Sequence, residues 1–206
     1  MPRPRFYKLT SEKQETILEA AAKEFADKGY ENASLNQILQ NAGLSKGAAY
    51  YYFDDKADVF VTAVTTYSQL VMSNVVVDFD TLTSANFWPT LADVYRQQFQ
   101  QARERPWVFG VMKSVGSLSA EMLAREPFAS FVVAMQNMLK QLLNSGQGLG
   151  VVRTDLSIDL LYLLISAVDD AHDQWMLPQW SSIDDAGIET AVARIIKLLQ
   201  RLLSPL

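Results

Sequence analysis

The residues whose types and spacing could do chemistry begin with Ser45-Lys46-Gly47-Ala48-Ala49-Tyr50-Tyr51-Tyr52. A hydroxyl and a cation lead into three small residues, and three phenols follow. Small side chains let a helix N-terminus approach another surface closely, and that end carries a positive partial charge. The phenol hydroxyls can reach phosphate oxygens. A second group sets the chain's single histidine, His172, between Asp169 and Asp173. One imidazole and two helix carboxylates make a poor metal-ligand set, and no Ser or Cys nucleophile stands in a recognisable motif beside them. His172 is therefore read as a structural or ligand-contacting residue. With no P-loop, GxGxxG or HExxH present, neither an enzyme, nor a cofactor, nor a metal is expected.

The elements that must position the first group are legible around it. Leu35, Ile38, Leu39 and Ala42 share one face at helical spacing. Ser34 is a good N-cap, and Gln37 three places on predicts an S-x-x-Q capping box. Gly43 ends that helix, Leu44 wedges the turn, and Ser45 caps a second short helix running to Phe53. Two short helices joined by a glycine-containing turn make a helix-turn-helix, whose second helix presents its N-terminal residues to base edges in the major groove. The bland alternative is a helical hairpin with an aromatic patch.

Gly43-Leu44-Ser45-Lys46-Gly47-Ala48-Ala49-Tyr50-Tyr51-Tyr52-Phe53, followed by Asp54-Asp55-Lys56, closely resembles the DNA-binding signature of TetR-type one-component bacterial repressors. The resemblance is specific over about Lys13 to Val64. It implies an all-α fold of about nine helices, with an N-terminal three-helix DNA-binding module in residues 1–54 and a ligand-binding and dimerisation bundle in residues 55–206. It also implies a ligand-responsive regulator, a repressor that binds a palindromic operator as a homodimer and is released by a small, mostly apolar effector. The DNA-facing set is then Ser34, Asn36, Ser45, Lys46, Gly47, Ala48, Tyr50, Tyr51 and Lys56. Lys46, Tyr50, Tyr51 and Lys56 are expected on phosphates; Asn36, Ser45, Gly47 and Ala48 are expected on the base side. Lys56 sits where the family grips a phosphate, although Asp54 and Asp55 stand beside it.

Bulk composition bounds the rest. The chain has 206 residues, 49% of them hydrophobic, enough for a sizeable core. Its formal charge is −5; residues 1–60 hold eight Lys/Arg against nine Asp/Glu. There is no basic domain, so DNA contact must rest on local cations, helix N-termini and hydroxyls. That charge keeps a second class open, a helical small-molecule sensor or carrier that has lost DNA binding. Cysteine is absent, which excludes disulfides. The N-terminus lacks an apolar signal core, and Leu160 to Val168 is too short to span a bilayer. A cytoplasmic protein with no membrane partner is expected.

Residues 1–10 form a Pro/Arg arm, read as a frayed tail or as a source of phosphate contacts through Arg3 and Arg5. A bracing helix runs from Thr10 or Ser11 to Lys28. A fourth helix capped by Asp55 runs to about Val77, a fifth covers about 86–105, and a sixth covers 107–115. A seventh opens at Pro127 and ends before a turn at Ser145 to Gly150. The eighth, about Leu156 to Leu177, reads as buried nearly all round. In the ninth, Ile188, Val192, Ile195, Leu199 and Leu202 form a stripe wider than one neighbour needs. The last two helices are therefore expected to form a homodimeric four-helix bundle, against the alternative that they only finish an intrachain core. Tyr67, Trp88, Tyr95, Phe99, Trp107, Phe109, Met112, Phe131, Met135, His172 and Trp175 are the candidate effector-binding residues, since aromatics and methionines line adaptable apolar pockets.

Overall fold

The computed structural model describes residues 2–45, 49–73, 77–114 and 118–205, with side chains at all of these except 49, 50, 71–73, 109 and 112–114. Lys46, Gly47 and Ala48, and the side chains of Tyr50, Phe109 and Met112, lie outside the described residues. All regular structure among the described residues is helical. The helices are α1 (Ser11–Asn32), α2 (Leu35–Asn41), α3 (Ala49–Tyr52), α4 (Lys56–Ser73), α5 (Phe87–Glu104), α6 (Trp107–Ser114), α7 (Ala120–Leu123), α8 (Phe128–Gly148), α9 (Ile158–Met176) and α10 (Asp185–Leu203). None is long and apolar enough to cross a membrane, among the described residues.

The chain forms two compact units, Met1–Leu70 with Trp107–Val132, and Val71–Pro106 with Val133–Leu206. Neither unit is one continuous stretch of chain. The reason lies in α6, which returns to pack along α1. A Cβ at Gly110 would stand 2.8 Å from the Ala26 Cβ, so the two helices approach too closely for any larger residue to enter without a shift.

In the first unit α1 buries Ile17, Leu18, Ala21, Ala22 and Phe25, the stripe its periodicity predicts. Thr10 caps it, its hydroxyl accepting from the Lys13 N–H at 3.3 Å. Phe25 meets Phe60 of α4 edge-on at 4.9 Å between centroids, and Tyr30 closes the same cluster at 5.1 Å from Phe60. The arm at the N-terminus is not frayed. Phe6 is 1% exposed, packs on Phe53 at 5.0 Å, and the Arg3 N–H donates to the Tyr52 carbonyl at 2.7 Å.

In the second unit α5 packs on α10; α5 buries Leu91, Tyr95, Phe99 and Ala102, and α10 buries Ile188, Val192, Ile195 and Leu199. Most of the stripe assigned to a dimer therefore closes the chain's own core. α8 runs through Ser145 to Gly148, where a turn was expected. Gly146 stays helical because its missing side chain makes room: a Cβ there would meet Val152 at 2.4 Å and the Phe87 ring at 2.9 Å. Arg153 then ties the end of α10, its N–H donating to the Leu203 carbonyl at 2.6 Å. α9 is not buried all round either. Leu161 and Ile165 face inward, but Leu163 is 61% exposed and Leu160 42%.

Candidate DNA interface and effector site

The helix-turn-helix corner is built as its sequence dictates, with one substitution of partner. Gly43 sits at φ +68°, and the Leu44 and Gly43 N–H groups donate to the Leu39 and Gln40 carbonyls at 2.8 and 3.1 Å. That pair of bonds is the helix-ending motif a C′ glycine permits. At the other end of α2 the Ser34 hydroxyl accepts from the Gln37 N–H at 3.4 Å. The reciprocal half of the capping box is not made by Gln37, whose amide donates to Asn41 Oδ1 at 3.0 Å. Glu24 of α1 makes it instead, its carboxylate accepting from the Ser34 N–H at 3.1 Å while paired to Lys28 at 3.0 Å. A tertiary contact has replaced a local one, which locks α2 to α1.

Ser34, Asn36, Ser45 and Tyr51 are exposed. Arg5 stacks its guanidinium over the Tyr51 ring at 4.3 Å, and Tyr52 meets that ring edge-on at 5.1 Å. Phe53 behind them is 1% exposed. The tip therefore has a buried root and a solvent-facing edge carrying a hydroxyl, a phenol and a cation.

Lys56 does not project beside them. Its ammonium donates to the carbonyls of Tyr30, Glu31 and Ala33 at 2.7, 3.0 and 3.3 Å, and lies 4.7 Å from the Tyr30 ring centroid. An ammonium has three donors, and all three are engaged on the corner between α1 and α2.

The acidic residues flanking it are neutralised. Arg3 pairs with Asp54 at 2.7 Å. Asp55 caps α4, accepting from the Asp58 N–H at 2.8 Å, and Asp58 accepts from the Asp54 N–H at 3.2 Å. Arg125, from the α7–α8 connection, reaches Asp55 at 3.4 Å and Asp58 at 3.6 Å. Burial acts to raise the Asp55 carboxyl, but the Asp58 amide and the Arg125 guanidinium outweigh it and hold it below its ordinary value. The repulsion expected between these carboxylates and DNA phosphate is thereby reduced. Arg125 is 70 residues from Asp55 along the chain, and no local pattern announces it.

The candidate effector residues fall into separate groups. In the first unit Tyr67 and Trp107 meet edge-on at 4.5 Å, and Phe131 is half-buried in α8. In the second, Trp88 packs edge-on against Phe87 at 5.2 Å, and Met135 is half-buried. Tyr95, Phe99, His172 and Trp175 are brought together. The His172 ring stacks on Phe99 at 5.5 Å, with Trp175 at 6.2 Å. Two members were missed. Trp180 is fully buried, its ring 5.0 Å from Phe99; it follows the Pro178 stop, where helical periodicity says nothing. Asp169 accepts from the Tyr95 hydroxyl at 2.6 Å. Burial raises its carboxyl to about 7, overcoming the stabilising Tyr95 bond, with Asp173 and Asp170 adding to the rise. Its i−3 spacing from His172 was the available signal.

Helices throughout the described residues, with a solvent-facing edge at Ser45 and Tyr51 on a braced helix-turn-helix corner, are the architecture expected of a DNA-binding regulator. Residues 17–63 match the family model for bacterial regulatory proteins of the tetR family. The HTH-type transcriptional repressor AcnR of Corynebacterium diphtheriae is 25% identical over 160 residues, 78% of each chain, and that of Corynebacterium glutamicum is 26% identical over 79% of this chain and 80% of its own. A TetR family regulator from Chloroflexus aurantiacus superposes with a TM-score of 0.67 at 21% identity, covering 99% of both chains. FadR of Bacillus subtilis, solved in complex with stearoyl-CoA, gives 0.70 at 19% identity, covering 89% of this chain and 96% of its own. The tetR-family match thus covers the N-terminal helices, and the full-length likenesses share the all-helical fold; both support a TetR-type regulator, a class of non-enzymatic DNA-binding proteins.

Proposed function

We propose that the chain acts in the cytoplasm as a homodimeric repressor, gripping a palindromic operator with two copies of the Ser45–Tyr51 tip and letting go when a small, mostly apolar effector binds the second unit. The observation that carries this is the solvent-facing edge at Ser45 and Tyr51 on a root closed by Phe6 and Phe53, with the neighbouring carboxylates paired to Arg3 and Arg125. Two tips must lie about 34–36 Å apart, or a multiple, to meet successive major grooves. Tyr50 and Tyr51 hold phosphates, and Ser45, Gly47, Ala48 and Asn36 read bases. Lys56 supports the corner rather than touching DNA. The effector reading draws on the aromatic group around Phe99.

The test is a gel shift on the intergenic DNA beside the coding sequence, across salt concentrations. Tyr50→Phe weakens specific and random DNA alike, whereas Ser45→Ala changes the preference between them. Equal effects of both on both DNAs would remove this division of labour. Absence of salt-dependent binding would favour the sensor or carrier that has lost DNA binding.

The dimer surface is assigned to the open face of α9, where Leu160, Leu163, Ala167 and Ala171 recur at helical spacing and are exposed. Leu163→Glu is expected to give monomers by light scattering and to lower operator affinity at least tenfold. A Leu163→Glu protein that still sediments as a dimer would place the interface elsewhere.

A further inference from the structure

We propose that the Asp169–Tyr95–His172–Asp173 cluster is a binding site for an organic cation, an amine or amidine carried on an aromatic body. The proposal deepens the effector reading above by naming the charge of the ligand.

Three independent features converge on that charge. First, the carboxylates lack a fixed counterion. Asp169 is held by the Tyr95 hydroxyl at 2.6 Å, and among the described residues no Lys or Arg pairs with Asp169, Asp170 or Asp173. Asp170 lies at the surface and Asp173 is 36% exposed, so the cost falls on Asp169, the most enclosed of the three, which is satisfied by a proton or by an incoming positive charge.

Second, His172 is 6% exposed, yet neither ring nitrogen has a hydrogen-bond partner. Its Nδ1 stands 3.8 Å from Asp173 Oδ1, beyond hydrogen-bond reach. Buried polar atoms are almost always paired, so this imidazole is built for a group that the chain itself does not supply. An ammonium or amidinium has N–H donors for both the free imidazole nitrogen and the carboxylates.

Third, the walls are aromatic. Phe99 stacks on His172, Trp180 lies against Phe99, and Trp175 completes the group. Ring faces attract cations, and this wall already holds one: Arg194 of α10 lies 4.4 Å above the Trp175 ring. A metal ion is a poorer occupant, because among the described residues no group of three or more His, Asp or Glu is arranged to hold one. An anion would meet the Asp169 and Asp173 carboxylates, neither of which pairs with a Lys or Arg among the described residues.

The charged and titratable groups facing Asp169 are Tyr95 from α5, and Asp170, His172 and Asp173 from α9, with Arg194 of α10 on the outer ring. Burial raises Asp169 to about 7, so at pH 6 it carries a proton that a cation must displace. Cation affinity should therefore rise about tenfold between pH 6 and pH 8.

Titration calorimetry on the full-length protein tests this with three matched probes: 1-naphthylmethylamine, 1-naphthylmethanol and 1-naphthylacetate. The amine is expected to bind at least tenfold tighter than the alcohol, and the acetate weakest. Asp169→Asn and Asp173→Asn should each lose about tenfold for the amine only, and Asp169→Asn should abolish the rise with pH. Equal or tighter binding of the alcohol or the acetate, or amine binding indifferent to both substitutions, would overturn the site. A gel shift with the amine runs alongside. Amine that binds with these signatures but leaves DNA affinity unchanged supports the cation site and removes the effector reading.

Discussion

Lys56→Met is expected to cost about 2–4 kcal/mol of stability and to weaken DNA binding without flattening its dependence on salt. The side chain sits between the first turn of α4 and the corner that joins α1 to α2. Its three donors meet three carbonyls, those of Tyr30, Glu31 and Ala33, and Ala33 is 6% exposed. Hydrogen bonds from a charged donor contribute about 1.5–3 kcal/mol each. Water can replace the ammonium at Glu31, which is exposed, but less readily at Ala33, so the net falls short of the sum. The same change separates two roles for this residue. A phosphate contact releases counterions, and losing one per protomer lowers the salt slope by about 1 for each half-site. A brace has no such signature; it loosens the seat of α2 and lowers affinity at every salt concentration. Urea unfolding with a salt series of gel shifts reads both quantities. Unchanged stability with a shallower slope would return Lys56 to the DNA backbone.

The difference between what Lys56 suggests in the chain and what it does in the fold shows where sequence reading stops. The capping serine, the C′ glycine and the apolar stripes of α1 and α2 are local signals, carried by spacing within one turn or one helix, and they translate directly into structure. The partners are not local. Gln37 is in the right place for a capping box, yet Glu24 is nearer to the Ser34 N–H once α1 is folded against α2. Arg3 and Arg125 neutralise Asp54, Asp55 and Asp58 from opposite ends of the first unit, so the acidic run that counts against DNA binding in the chain counts for little in the fold. Gly146 fails as a turn signal for a related reason. Glycine marks either a backbone that must turn or a neighbour that comes too close, and only the position of Phe87 and Val152 decides between them. The width of an apolar stripe likewise cannot say how many neighbours share it. The stripe of α10 is taken up by α5 and α9 within the chain, and the open face lies on α9.

Asp169→Asn should make the protein more stable at neutral and alkaline pH, with a gain that grows by about 2 kcal/mol between pH 5 and pH 8. Burial raises the wild-type carboxyl to about 7 in the folded chain, against about 3.8 for an ordinary aspartate. A group raised on folding stabilises the native state fully below its unfolded value, and that stability is lost as pH rises through the folded one. The window is therefore about pH 4 to 7, the reverse of the usual carboxylate. Asparagine keeps an oxygen to accept from Tyr95, whose phenol stays protonated because burial and the neighbouring Asp169 push it well above its ordinary range. The variant thus removes the charge and keeps the hydrogen bond. Urea unfolding at pH 5, 6, 7 and 8, wild type against variant, measures the gain directly. A difference that does not change across this range would mean that Asp169 is ionised throughout and solvated well enough to need no counterion. The trade bears on the proposed cation site: a carboxylate that destabilises the fold above pH 7, beside an imidazole with no hydrogen-bond partner, is the cost an incoming cation would relieve there.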